Sequence, residues 1–179
     1  MMRAGFDEGA SMRRTGIAIF LVAVAALARG QGAHSGAASE AVASVLDAWH
    51  AAATTADEET YFAFFTPDAV FLGTDATERW TRDEFRKWAH PYFAKGKAWS
   101  FRAKARWISF APDRSVAWFD EALDTPNLGP CRGSGVLVST PAGWKIAQYN
   151  LSIPIPNDLA DDFKKRIEEY ERKAAKKGR

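Results

Sequence analysis

Asp120 and Glu121 are adjacent carboxylates inside an alternating apolar segment, VAWFDEAL (Val116 to Leu123). Successive strand side chains face opposite ways, so one shares a face with Val116 and Trp118 and the other with Ala117, Phe119 and Leu123. Burial against an aromatic ring raises a carboxyl pKa toward the range in which it moves protons at neutral pH. Asp120, beside Trp118, is the expected pocket carboxylate, with Arg132 the cation that would instead lock it in a structural ion pair. Farther along, Gln148 and Asn150 alternate with Ala147, Tyr149 and Leu151, which puts both amides on the face of Trp144 and Ile146. A buried amide left without a hydrogen bond costs about 1 to 3 kcal/mol. These two are therefore expected either to orient a ligand or to bond loop backbone, and as neutral amides neither serves as a general base. Asp75, Glu78 and Trp80 form a third group between a short strand and a helix. They would rim a pocket as acid, base or ligand contacts, or else Asp75 is a turn residue and Glu78 the partner of an arginine.

Other chemistries lack support in the spacing, although counting residues leaves a Ser-His-Asp triad open. His50 and His90 have no second ligand at metal-binding intervals such as H-E-x-x-H, so no metal is expected. There is no G-x-S-x-G elbow, and Gly133-Ser134-Gly135 lacks the strand, loop and helix setting of a phosphate loop. The single Cys131 cannot form an intrachain disulfide and is expected to be buried and inert. With 24 Lys and Arg against 22 Asp and Glu, the net charge of +2 is spread among both signs and leaves no electrostatic footprint for nucleic acid. The basic row Arg102, Lys104 and Arg106 has no aromatic on its own side and is expected to be a solvated face or the rim of a dimer.

The elements that must position these residues follow from periodicity. A chain of 179 residues suits one domain, and a 47% hydrophobic composition with twelve Phe, seven Trp and four Tyr excludes a disordered chain. Val42, Val45, Leu46, Trp49 and Ala53 recur at three- and four-residue steps and predict an amphipathic helix from Ser39. A short helix follows through DEETYFAFF with Asp57 as its cap, then a turn at Thr66-Pro67-Asp68 and a strand from Ala69 to Gly73. Thr81 and Glu84 make a capping box for a third helix, whose regular part His90-Pro91 should end. From Lys97 the period is two, with Trp99, Phe101, Ala103, Ala105 and Trp107 opposite the basic row. Turns at Ala111 to Arg114 and Pro141 to Gly143, and a loop TPNLGPCRG, divide the rest into three more strands. Helices first and a meander after them predict an α+β fold with an antiparallel sheet. Residues 157–179 predict a charged helix capped by Asn157, with a narrow stripe of Leu159, Phe163, Ile167 and Tyr170 that can pack along the sheet or against a second chain.

Ahead of the domain, Arg13 and Arg14 precede an apolar run from Ile17 to Leu27, and small residues follow. These are the parts of a secretory signal peptide, starting at Met1 or Met12 and expected to be cleaved between about Ala28 and Ala33. The run is shorter than the roughly 20 apolar residues a membrane span requires, so export to the periplasm or medium is expected instead of a stable membrane anchor. Residues 1–33 are thus read as signal peptide and flexible lead-in.

Four segments carry a resemblance: GTD with ERW (Gly73 to Asp75, Glu78 to Trp80), AWFDE (Ala117 to Glu121), CRGSGVL (Cys131 to Leu137) and WKIAQYNLS (Trp144 to Ser152). On them, residues 39–156 resemble the nuclear transport factor 2-like superfamily and, within it, the SnoaL-like domain branch. The resemblance implies a cone-shaped barrel, in which N-terminal helices pack inside a curved antiparallel sheet around an apolar pocket, with a C-terminal helix added. In isomerase-like relatives a carboxylate near the end of the first strand is the base; here that place falls on Gly73 or Thr74, with Asp75 just beyond. The implied function is binding of a small, largely apolar molecule, walled by Tyr61, Trp80 and Trp118 and fixed by Asp120, Arg132, Gln148 and Asn150. One alternative is an isomerase, cyclase or dehydratase with Asp120 or Asp75 as general acid/base, and another is an assembly module without a ligand, since this fold hosts many functions. No cofactor is expected for any of these, and a homodimer through the sheet is the expected oligomer.

Overall fold

The computed structural model describes residues 36–177, so the signal-peptide reading of residues 1–33 lies outside the described residues. Two compact units divide the chain, residues 1–41 and 42–179. Of the first, residues 36–41 are described and are helical. In the second, helix α1 occupies residues 42–54. It is followed by α2 (Glu58–Ala63), β1 (Phe65–Leu72), β2 (Arg79–Thr81), α3 (Arg82–Phe93), β3 (Arg102–Phe110), β4 (Val116–Thr125), β5 (Gly129–Thr140) and β6 (Gly143–Ser152). A 3-10 turn, Asn157–Leu159, leads into α4 (Ala160–Lys177). The strands form one six-stranded sheet in the order β2-β1-β6-β5-β4-β3, which with the helices gives the expected α+β architecture. One pairing departs from the antiparallel expectation: β1 and β6 run parallel. The chain between them includes a helix and four strands, ample for the crossover that a parallel pair needs.

Local signals account for most of the element boundaries. Asp57 caps α2 by accepting from the Thr60 N–H at 3.0 Å, and the capping box of Thr81 and Glu84 is complete. Pro91 does not stop α3, which runs to Phe93, because the proline sits in the last turn on an exposed side. Thr66-Pro67-Asp68 lies within β1 instead of forming a turn. The β1–β6 register slips between Phe65 and Val70, so Pro67 stands where the ladder asks no N–H of it. The loop expected at TPNLGPCRG is mostly strand, since β4 ends at Thr125 and β5 begins at Gly129. Asn157 caps nothing with its side chain, and the 3-10 turn that starts there opens the last helix.

Two bulges decide which side chains enter the core. On β3, Ala103 pairs with Leu123 and Ala105 with Ala122, so Lys104 is an extra residue. On β6, Ile146 pairs with Leu137 and Gln148 with Val136, so Ala147 is extra. Each insertion reverses the facing of everything beyond it. Arg106 therefore turns inward, while Trp107 turns out and is 59% exposed. Ile146 is buried before the second bulge and Tyr149 and Leu151 after it. The inner face of the sheet and helices α1 to α3 close on a core rich in rings, including Trp49, Tyr61, Phe65, Phe71, Phe85, Phe119 and Tyr149.

Candidate functional site

A cavity of about 280 Å³ lies among these rings, lined deep down by Trp49, Tyr61, Phe85 and Tyr149 and toward its mouth by Gly73, Thr74, Glu78, Trp80, Trp88 and Leu128. Its flat walls are built locally. Trp80 precedes the Thr81 cap and Phe85 follows four residues after it, the two ends of a hydrophobic staple, and their rings lie 7° from parallel with centroids 5.7 Å apart. Cross-strand register sets Phe71 beside Trp80, and Phe71 stacks on Phe85 at 3.8 Å and 17°. Trp88 continues the stack from Trp80 at 5.0 Å. The cap that starts α3 thus also orients one wall of the cavity.

The mouth carries a carboxylate. Glu78 Oε2 accepts the Asp75 N–H at 3.1 Å and lies directly over Gly73, where any Cβ would collide with it. Glycine here leaves room for Glu78 to fold over the backbone, and a larger residue would displace that carboxylate. Asp75 accepts from the Thr77 hydroxyl at 2.6 Å and the Thr77 N–H at 2.8 Å. These bonds, the hydroxyl first, hold its carboxyl below the ordinary aspartate value, so Asp75 is a turn residue and a weak proton acceptor.

Behind the deep wall sits a buried ionic cluster. Glu121, with no exposed surface, accepts from Arg106 Nε through Oε2 at 2.8 Å and meets His50 Nε2 through Oε1 at 2.8 Å. Arg106 also donates to Asp47 at 2.9 Å and to the Ala43 carbonyl at 3.1 Å. The Tyr149 hydroxyl donates a long bond to Glu121 Oε1 at 3.5 Å and so joins the cluster to the cavity wall. Burial is the largest influence on Glu121 and pushes its carboxyl up; the hydrogen bond and charge of His50 with those of Arg106 outweigh it and hold the group below its ordinary value. The Tyr149 phenol is pushed well up, by burial and then by the Glu121 charge, and Tyr61 is pushed up by burial. The cluster has room only because β5 carries Gly133 opposite Glu121. A Cβ there would strike the Tyr149 hydroxyl and crowd Glu121 Oε1 at 2.9 Å. Trp49 Nε1, Tyr61 Oη and one Arg106 nitrogen are buried without a hydrogen-bond partner.

The structure brings Tyr61 and Trp80 into the cavity wall and leaves the other expected ligand contacts outside it. Asp120, Trp118 and Arg132 lie on the outer face of the sheet, where Trp118 is 48% exposed and Asp120 and Arg132 line a shallow surface hollow. The alternation of β4 holds as expected, but the inner face is that of Ala117, Phe119 and Leu123, so the buried carboxylate is Glu121. Gln148 is exposed. Asn150 lines, with Asp75, a groove between the β1–β2 loop and the start of α4. The bulge at Ala147 is the reason both amides leave the face of Ile146. His50, Arg106, Glu121 and Tyr149 were not expected as a group. The more apolar company of Glu121 was a usable signal for one of them; the Lys104 bulge that turns Arg106 inward left none. Cys131 is buried, as expected, and burial raises its thiol. Among the described residues no group of three His, Cys, Asp or Glu is placed to hold a metal, and no helix is long and apolar enough to cross a membrane.

Residues 42–156 match the family model of the SnoaL-like domain. Among solved structures, the chain is similar to a nuclear transport factor 2-like protein of unknown function from Pseudomonas putida KT2440, with TM-score 0.57 and 12% identity over 70% of this chain and 92% of that one. It is similar to a candidate dehydratase of the same superfamily from Streptomyces avermitilis, with TM-score 0.56 and 18% identity over 65% and 96%. A candidate aromatic ring hydroxylase from Novosphingobium aromaticivorans gives TM-score 0.55 and 19% identity over 65% and 88%. No curated protein matches the chain.

Proposed function

The chain belongs to the SnoaL-like domain family of the nuclear transport factor 2-like superfamily, and on that premise we propose that it binds a small, flat, largely apolar ring molecule. The observation that supports this is the cavity of about 280 Å³ walled by nearly parallel aromatic rings. Ligand cavities commonly start near 300 Å³, so a molecule of one or two rings suits this one. No Lys or Arg lines the cavity and Glu78 stands at its mouth, which favours a neutral ligand over an anion. Native mass spectrometry of the protein isolated from its own host tests the reading. A bound small molecule, absent when Thr74→Trp blocks the mouth, is the expected result; an empty cavity in both proteins opposes it. Arg13, Arg14 and the apolar run from Ile17 to Leu27 support export of the chain, which N-terminal sequencing of the extracytoplasmic fraction checks.

A second reading, cofactor-free acid–base catalysis, is favoured by the Tyr149 and Glu121 pair. Tyr149 would take a proton from the substrate as its own passes along the hydrogen bond to Glu121 Oε1; the lowered pKa of Glu121 makes it a weak acceptor and places this reading second. Here Tyr149 is the catalytic residue and His50 and Arg106 position Glu121. With the bound molecule identified, Tyr149→Phe separates the readings: lost turnover with retained binding favours the enzyme, and absence of turnover in the parent protein favours the binder.

A further inference from the structure

Helix α4 carries an apolar stripe that no element of the chain covers fully: all of residues 153–176 are exposed, with Phe163, Ile167 and Tyr170 at 42%, 51% and 74%. A lone helix of this length is marginal in water, because nucleation is costly and helices in proteins are held mainly by burying one face. Its internal ion pairs, Lys164 with Glu168, Lys165 with Asp162 and Lys173 with Glu169, are exposed and add little. The spacing of the stripe says what kind of cover suits it. Ala160, Phe163, Ile167, Tyr170 and Ala174 follow alternating steps of three and four, the a and d positions of consecutive heptads.

We infer that α4 pairs with the same helix of a second copy of this chain as a short, parallel, two-stranded coiled coil. Charge decides the direction. With Ile167 and Ala174 at a and Phe163 and Tyr170 at d, Arg166 falls at g and Glu171 at the following e. In a parallel pair each Arg166 then meets the partner's Glu171, and by symmetry this happens twice. Neither residue has an ion pair within its own chain among the described residues. An antiparallel pair would match Lys164 with the partner's Glu171 but would set Arg166 against the partner's Lys173. β-branched Ile167 at an a position also favours two parallel strands. The competing surface is the outer sheet face, where Trp107 and Trp118 are exposed beside Lys104 and Arg132; it is separate from α4.

Sedimentation equilibrium on the chain tests the pairing. The parent protein should be a dimer, and Ile167→Asp, which puts a charge at the seam, should raise the dissociation constant roughly 100-fold or more. Unchanged near-ultraviolet circular dichroism would show that the variant keeps its core. Glu171→Arg should weaken the dimer, and adding Arg166→Glu should restore it. Ala174→Cys should cross-link on mild oxidation, since position 174 meets its own copy only in the parallel arrangement and Cys131 is buried. A monomeric parent protein overturns the inference, and so does a dimer indifferent to Ile167→Asp, which would place the interface on the Trp107 and Trp118 face. A dimer that Ile167→Asp dissociates but that Ala174→Cys fails to cross-link overturns the parallel direction.

Discussion

With Glu121 held below the ordinary carboxyl value of 4.5, the folded chain favours its ionised form, and the sign of a pH dependence follows. The stabilisation is fully present above the unfolded value and is lost as pH falls through the lower folded one. Glu121→Gln removes the buried counter-charge of Arg106 and leaves it only the exposed carboxylate of Asp47, and should cost about 3 kcal/mol at neutral pH. Urea unfolding at neutral and acid pH checks both parts: the variant should be less stable at neutrality and lose less on acidification. The tyrosines give an independent test. Tyr61 and Tyr149 are buried with raised phenols, whereas Tyr92 and Tyr170 are 47% and 74% exposed. Tyr61 and Tyr149 should form tyrosinate only as the chain unfolds in alkali. Tyrosinate at these two positions in a protein still folded would contradict the burial of this core.

Among the elements, β5 makes the site possible through what it lacks. Gly133→Ala would press a methyl group into the Tyr149 hydroxyl and Glu121, and overpacking of this kind costs about 1 to 3 kcal/mol. Thermal unfolding should show that loss, while Gly36→Ala, where a Cβ meets nothing within 4 Å, should not. The contrast between these elements also explains what the sequence could reveal. Caps at Asp57 and Thr81, the helical stripe of Val42 to Ala53 and the alternation of β4 depend on neighbours a few residues apart, and each is readable from residue types. The bulges at Lys104 and Ala147 depend on how two strands pair, and neither residue marks itself by type. Beyond each bulge the facing inverts, so strict alternation predicts Arg106 outside and Gln148 and Asn150 inside. For Asp120 the reason differs: Trp118 points a ring outward, and the combined apolar face of Ala117, Phe119 and Leu123 decides which side of β4 is buried.

At the scale of the molecule, the fold divides its aromatic residues between two tasks. Phe62, Phe65 and Phe119 fill the core, while Trp80, Trp88 and Trp99 wall a cavity that the core leaves open. Family membership accounts for the scaffold, and the cavity's chemistry is particular to these side chains. A ligand that binds only the folded chain would stabilise it by mass action, so occupancy of the cavity should be visible as a raised unfolding temperature. The most direct measurement is calorimetric titration of 1-naphthol, a neutral two-ring probe, into the parent protein, Thr74→Trp and Asp120→Asn. One-to-one saturable binding that Thr74→Trp abolishes and Asp120→Asn leaves intact is the result predicted for a cavity ligand site. Binding that survives Thr74→Trp but is lost in Asp120→Asn, or no binding to the parent protein at all, would contradict it.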